Sequence, residues 1–227
     1  MIYDLSHRLK EYAIDLLFPP QCVGCGSVGH YLCSQCNRSL PRIQPPLCPH
    51  CGKPQPREGL CPGCWGWQAA IDGIRAPFYF DGVIRDAIHS FKYRNLRALA
   101  RPLAGFLADY LKSDHIMGDV LVAVPLHRSR LRERGYNQSA LLVTELCKRT
   151  GIPEERGLLT RHQDTPPQAR IGSADLRRQN VTDVFSCTDK RFKGRRVLIV
   201  DDVCTSGATL DSCATALNGQ GRFRSGD

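Results

Sequence analysis

Four Cys-x-x-Cys pairs, Cys22/Cys25, Cys33/Cys36, Cys48/Cys51 and Cys61/Cys64, fall within 43 residues of a 227-residue chain. Two thiolates on one tight turn can reach a common metal at about 2.3 Å, and two such turns complete a tetrahedral zinc site. Gly26 and Gly52 follow the second thiol of two pairs, where a knuckle turn needs glycine. The alternative is a disulfide framework, which requires an oxidising compartment. Asp4, Arg8, Lys10, Glu11 and Asp15 interrupt any signal-peptide core, so metal is the favoured reading and a cytoplasmic location is expected. The loops inside Cys25/Cys33 and Cys51/Cys61 hold seven and nine residues. Short loops close cheaply, which favours two sequential zinc sites over a crossed pairing. Each half has almost no apolar core of its own, so metal must supply its folding free energy. With eight thiols at hand, His30 and His50 are read as bystanders.

A second constraint comes from residues 196–210, RVLIVDDVCTSGATL. Val197, Leu198, Ile199 and Val200, with Val203 past the acids, suit a parallel-sheet strand buried on both faces. Asp201 and Asp202 stand where that strand should end. Thr205, Ser206, Gly207, Ala208 and Thr209 then form a small-residue turn opening an amphipathic run toward Leu217. Free N–H groups at a helix start bind a phosphate dianion without a lysine. Gly207 allows close backbone approach, and the three hydroxyls add donors. The two carboxylates repel a phosphate and need other partners, for which ribose hydroxyls or hydrated Mg²⁺ are suited. The bland alternative is an ordinary strand-to-helix turn with capping residues. No G-x-x-x-x-G-K-[ST] is present, so a nucleoside-triphosphate P-loop is unsupported.

Other segments complete the layout. Ile2, Leu5, Leu9, Tyr12, Ala13, Leu16 and Leu17 share one helical stripe, which predicts an amphipathic helix over 1–17. The cysteine module occupies 18–68, with Trp65, Trp67 and Ile71 at its seam with a domain over 69–227. Residues 74–80 read as a short strand, 83–92 and 96–111 as helices, and 119–126 as a second buried strand. His127, Arg128, Arg130, Arg132 and Arg134 crowd the segment after that strand, at the ligand face of an α/β sheet. Arginine forks suit pyrophosphate or nucleic-acid phosphates; an exposed basic loop is the competing reading. Asn137 is expected to cap a helix running to about Arg149. No stretch is apolar enough for a membrane span. A net charge of +9 favours polyanionic partners.

Taken in order, VPLHRSRLRERGYNQ, TRHQDTPPQARIGSADLRRQNVTDVF (160–185) and VLIVDDVCTSGATL resemble the ComF/GntX family of phosphoribosyltransferase-like proteins. The resemblance spans about 18–217 and includes the leading double zinc ribbon. It implies an α/β fold of the type I phosphoribosyltransferase kind, a parallel sheet flanked by helices. It further implies a bacterial cytoplasmic protein tied to natural transformation or DNA uptake. Carried over to this chain, Asp201 and Asp202 would hold the ribose hydroxyls of phosphoribosyl pyrophosphate. Thr205, Ser206, Gly207, Ala208 and Thr209 would hold its 5′-phosphate. Arg128, Arg132, Arg134, Gly135, Asn137 and Gln138 would form the pyrophosphate side. Arg161, Gln168, Arg177 and Asn180 would belong to a mobile covering loop. The chain departs from the family at its end: NGQGRFRSGD cannot form the final buried strand, so the neighbouring strand edge is expected to be unpaired.

Two readings follow. In one the protein is a phosphoribosyltransferase working on Mg²⁺-bound phosphoribosyl pyrophosphate. In the other it is a non-catalytic protein binding single-stranded DNA or a competence protein. Few aromatics for stacking bases are evident in the sequence, which weighs against base-specific readout.

Overall fold

The computed structural model describes residues 19–163, 184–187 and 194–219, and they fall into two compact units. The expected helix over 1–17 and the residues Gln168, Arg177 and Asn180 lie outside them. None of the twelve cysteines forms a disulfide. No helix among the described residues is long and apolar enough to cross a membrane.

The first unit comprises Met1–Pro41 and Phe78–Leu99. It holds the first cysteine knuckles, the short helix α1 (Ser34–Arg38) and helix α2 (Gly82–Tyr93). Asp81 caps α2 by accepting the Gly82 amide, and Ile84, Ala87, Ile88 and Phe91 recur at helical spacing as its buried stripe. The helix stops before Asn95, which sits at φ 54°. A Cβ on Gly24 would lie 2.9 Å from both Val83 methyls, so the knuckle packs directly on α2 and only glycine fits there.

The second unit comprises Arg42–Pro77 and Ala100–Asp227. Helix α3 (Ala100–Ser113) precedes strand β1 (Val120–Ala123). Helices α4 (Arg128–Arg134) and α5 (Gln138–Thr150) follow. The remaining elements are β2 (Glu154–Glu155), β3 (Leu159–Arg161), β4 (Phe185–Cys187), β5 (Val197–Val200) and α6 (Ala208–Asn218). A parallel sheet runs β2-β1-β5, with Val122 opposite Ile199 and Ala123 opposite Val200. β3 and β4 pair antiparallel in a separate two-stranded sheet. Val120, Val122 and Val124 point into a core shared with Ile74, Leu159, Phe185 and the α6 residues Leu210 and Cys213. On the helical side α5 packs on β1 and α3 on α5.

Two expectations need correction. The strand over 197–200 is not buried on both faces: Val197, Leu198 and Ile199 are half-buried. β5 is an edge strand among the described residues, whereas β1 is the fully covered centre. Residues 74–80 form no regular strand, only a single bridge at Phe78. The Ile74 amide instead donates to His50 O at 2.7 Å, and Pro77 has no N–H to offer. The arginine-rich segment forms a helix, so the competing reading of an exposed basic loop does not hold. His127 caps it by accepting the Ser129 amide, and Gly135 closes it at φ 75°. By contacts, the second knuckle pair clusters with the α/β body in the second unit.

At the amino end of the sheet Asp119 accepts the Arg196 amide and guanidinium, both at 2.8 Å. The Arg196 side chain holds the Asp119 carboxyl at about 2, below the usual carboxylate range. A depressed acid stabilises the fold fully above its unfolded pKa and loses that effect as pH falls through the folded one. Asp119→Asn should therefore flatten the stability profile between about pH 4 and pH 2. The change should be small because the pair is exposed and screened. Denaturant melts across that window check it; an unaltered acid limb in the variant would contradict the assignment.

Candidate functional site

Because β1 and β5 are parallel neighbours, their carboxyl ends open on the same edge of the sheet. Asp201 leaves β5 there, and the segment carrying α4 leaves β1. Ser139, buried in the first turn of α5, ties the two together by donating its hydroxyl to Asp201 Oδ1 at 3.0 Å. The same oxygen accepts the Asp202 amide at 2.9 Å. These donors orient the Asp201 carboxylate, and hydrogen bonds to an ionised acceptor are stronger than those between neutral groups.

Past the acids the chain bends through residues 203–207 into α6. Gly207 is the N-cap at φ 80°, a conformation open to glycine, with no side-chain cap bond. Asp201 and residues 203–210 line one shallow, solvent-open hollow. Within the bend, Thr205 is exposed and Thr209 half-buried, whereas Ser206 is buried and its hydroxyl accepts the Ala208 amide at 3.4 Å. Ser206 is therefore a bend-stiffening residue more than a free donor. Cys204 is exposed at the bend, yet crowding and then the Asp201 carboxylate push its thiol up to about 11.

The candidate pyrophosphate residues divide. Arg128 and Arg132 lie exposed, one turn apart on α4. Arg134 is half-buried and donates to Gln138 Oε1 at 3.4 Å, so buried Gln138 orients it. Asn137 serves the backbone instead. Its Oδ1 accepts the Ser139 and Ala140 amides, and its Nδ2 donates to Val124 O at 2.9 Å. It is the cap that sets where α5 begins. Arg161 lies on β3 with its guanidinium over the Phe185 ring at 5.5 Å. Asp202 is half-buried and is not among the residues lining the hollow.

Sequence reasoning did not single out Ser139, Ile74 or Asp211. Asp211 Oδ1 accepts the Ala70 and Ile71 amides at 2.7 and 3.1 Å. In sequence it reads as an ordinary acid in a first helical turn. A serine two residues after an asparagine cap was the one local hint to Ser139.

The cysteines form two separate tetrads. Cys22, Cys25, Cys33 and Cys36 bring their sulfurs within 4.8 Å of one another, as do Cys48, Cys51, Cys61 and Cys64. Pairing is sequential, as the short loops favoured. Each tetrad has one sulfur–sulfur contact of 3.6 Å, Cys25–Cys33 and Cys51–Cys61. The edge of a zinc–thiolate tetrahedron is about 3.8 Å. The knuckles repeat one scheme, in which Gly26 N–H donates to Cys22 O and Gly52 N–H to Cys48 O. Backbone amides also point at the sulfurs, Cys33 N–H to Cys22 Sγ and Cys61 N–H to Cys48 Sγ. The Cys36 amide and then the Ser27 hydroxyl draw the Cys33 thiol down to about 6. Desolvation and the neighbouring thiols push Cys36 up to about 12. Four such groups ionise together only around a cation, and an all-thiolate tetrahedral set fits zinc.

Residues 13–65 match the double zinc ribbon domain. The chain is similar to competence protein F of Haemophilus influenzae, 30% identical over 209 residues that cover 87% of this chain and 90% of that protein. It is 25% identical to competence protein ComFC of Bacillus subtilis over 204 residues, 86% of this chain and 80% of that one. DNA utilization protein YhgH of Escherichia coli is 30% identical over 204 residues, with 84% and 86% covered. A likeness that takes in both the cysteine tetrads and the parallel sheet settles the kinship: the chain belongs to the ComF/GntX family.

Proposed function

We propose that this protein binds phosphoribosyl pyrophosphate or a related ribose phosphate at the carboxyl edge of β1 and β5, as a phosphoribosyltransferase-like component of competence and DNA uptake. The observation that carries the reading is the shared hollow of Asp201 and the 205–209 bend, with Ser139 joining it to the arginine-bearing segment. The bend's amides and the Thr205 and Thr209 hydroxyls suit the 5′-phosphate. The acids suit the ribose hydroxyls, and Arg128, Arg132 and Arg134 supply cations for the pyrophosphate. Mg²⁺ fits the same end of the ligand, since carboxylate and phosphate oxygens are its preferred donors. When bound it would neutralise charge on the pyrophosphate.

In the transfer reaction a nitrogen of an amine or nucleobase attacks the anomeric carbon. The C1–N bond forms, the C1–O bond to pyrophosphate breaks, and the nitrogen's proton passes to solvent. Positioning and charge neutralisation on the leaving group provide the catalysis, and no side-chain nucleophile is required. Calorimetric titration of phosphoribosyl pyrophosphate with Mg²⁺ tests the binding; pyrophosphate release across a panel of acceptors tests the transfer. Binding without turnover would make it a ligand-sensing protein.

A second reading, capture of single-stranded DNA, is favoured by a feature of the first unit. Phe80 stacks on His89 with ring centroids 6.3 Å apart, and His89 meets Tyr93 at 5.5 Å. Phe80 is 47% and Tyr93 67% exposed, and Lys92, Arg94 and Arg97 follow close in the chain. Exposed rings beside cations make a stacking platform for unpaired bases. Helix geometry puts His89 and Tyr93 on one face, a pattern four apart that composition conceals. Phe80→Ala with Tyr93→Ala should weaken oligo(dT) binding by ~1–3 kcal/mol per lost stack. Fluorescence anisotropy at two salt concentrations checks it; affinity indifferent to both salt and the rings would remove this reading.

A further inference from the structure

The second cysteine tetrad and the sugar-phosphate bend belong to one packed body. Trp67 touches both: it lies against the Cys48, Cys61 and Cys64 cluster and against the core containing Ile74, Ala208 and Leu210. Its ring meets His50 of the knuckle edge-on at 6.3 Å. His50 O holds the Ile74 amide at 2.7 Å, and Pro49 O holds the Arg75 guanidinium at 2.9 Å. Gly52, the knuckle glycine, comes so close that a Cβ would lie 2.3 Å from Ile74 O. At the other end of this segment, the Ile74 Cδ1 methyl sits 2.5 Å and the Trp67 ring 3.5 Å from where a Gly207 Cβ would be. Asp211, one helical turn beyond Gly207, locks the arrangement by holding the Ala70 and Ile71 amides, and Asn218 Nδ2 donates to Ala70 O.

Gly207 is the residue whose positive φ turns the bend into α6, and it has no side-chain cap to hold it. Its shape depends on what presses from behind. That surface is Ile74 and Trp67, and their position is set by the knuckle around Cys48 and Cys51. We propose that Trp67, Ile74 and Asp211 are positioning residues for the sugar-phosphate bend, and that metal in the Cys48/Cys51/Cys61/Cys64 tetrad sets the bend's geometry through them. The tetrad of Cys22, Cys25, Cys33 and Cys36 belongs to the other compact unit and takes part in none of these contacts. The two zinc sites, alike in sequence, thus have different duties. This inference rests on the proposed ribose-phosphate reading, and its test separates the two.

The test uses the full chain with zinc content measured for every variant. Amide hydrogen exchange over residues 204–210 is followed by mass spectrometry, alongside calorimetry with phosphoribosyl pyrophosphate and Mg²⁺. Cys61→Ser with Cys64→Ser should speed exchange in the bend by ~10-fold or more, while Cys33→Ser with Cys36→Ser leaves it unchanged. Ile74→Ala, which keeps both tetrads intact, should also speed exchange and weaken ligand binding by up to ~10²-fold, the usual penalty for a misplaced contact. Equal exchange in the two cysteine variants would overturn the proposal. If the second-tetrad variant does not fold, Ile74→Ala and Asp211→Asn decide, and a bend unmoved in both overturns it. Should the parent protein bind no phosphoribosyl pyrophosphate while exchange still follows the second tetrad, the ligand reading fails and the linkage stands.

Discussion

Replacing both acids, Asp201→Asn with Asp202→Asn, should weaken phosphoribosyl pyrophosphate binding by ~10²-fold or more while leaving the fold in place. Asparagine keeps an oxygen that can accept the Ser139 hydroxyl and the amide at position 202, as Asp201 does now. The local scaffold therefore survives and only the charge goes. Hydrogen bonds from ribose hydroxyls to ionised carboxylates contribute about 1.5–3 kcal/mol each. Losing two predicts a fall in affinity of ~10²–10⁴-fold. Calorimetry gives the affinity and far-ultraviolet dichroism the fold. Undiminished binding in the double variant would refute the assignment of the acids, whatever the acceptor. Arg128→Ala with Arg132→Ala is a milder companion: both side chains are exposed, so binding should weaken and its salt dependence shrink.

Zinc removal should have the larger structural effect. The apparent free energy of structural zinc binding is about 10–16 kcal/mol near neutral pH. That is comparable to the ~5–15 kcal/mol stability of a whole domain. The purified chain is expected to carry two zinc ions, one for each tetrad, and to release protons as metal binds. A strong chelator should melt both knuckle pairs. In the second unit it should also expose Trp67, which packs on Cys48, Cys61 and Cys64. Acidification acts in the same direction because thiolates must be deprotonated to hold metal, so zinc affinity falls as pH falls. Metal analysis, tryptophan emission and the thiolate-to-metal absorption of a cobalt-substituted sample check this. A chain that stays folded and reduced without metal would contradict it.

Local chemistry was readable from the sequence wherever one short segment contains all the interacting parts. The four Cys-x-x-Cys pairs declared their tetrads because each pair is one turn and the loops between partners are short. Asn137 declared the start of α5, since its cap bonds reach only to Ser139 and Ala140. The strand, acids and glycine bend of residues 197–207 appeared where periodicity and turn residues put them.

Other features depended on partners far along the chain. Whether Val197, Leu198 and Ile199 are covered on both faces depends on which strands flank β5, and their own apolar character is the same for a central or an edge strand. Arg128 to Arg134 carry enough charge to read as a loop, and only the His127 and Gly135 caps make them a helix. The link between the second knuckles and the bend runs through Asp211 and the Ala70 amide, 141 residues apart. Short-range rules act through the geometry of neighbouring peptide units and are written in order along the chain. Contacts at that separation exist only after the backbone has closed on itself, so the tertiary structure alone decided which of two similar zinc knuckles packs behind the glycine bend.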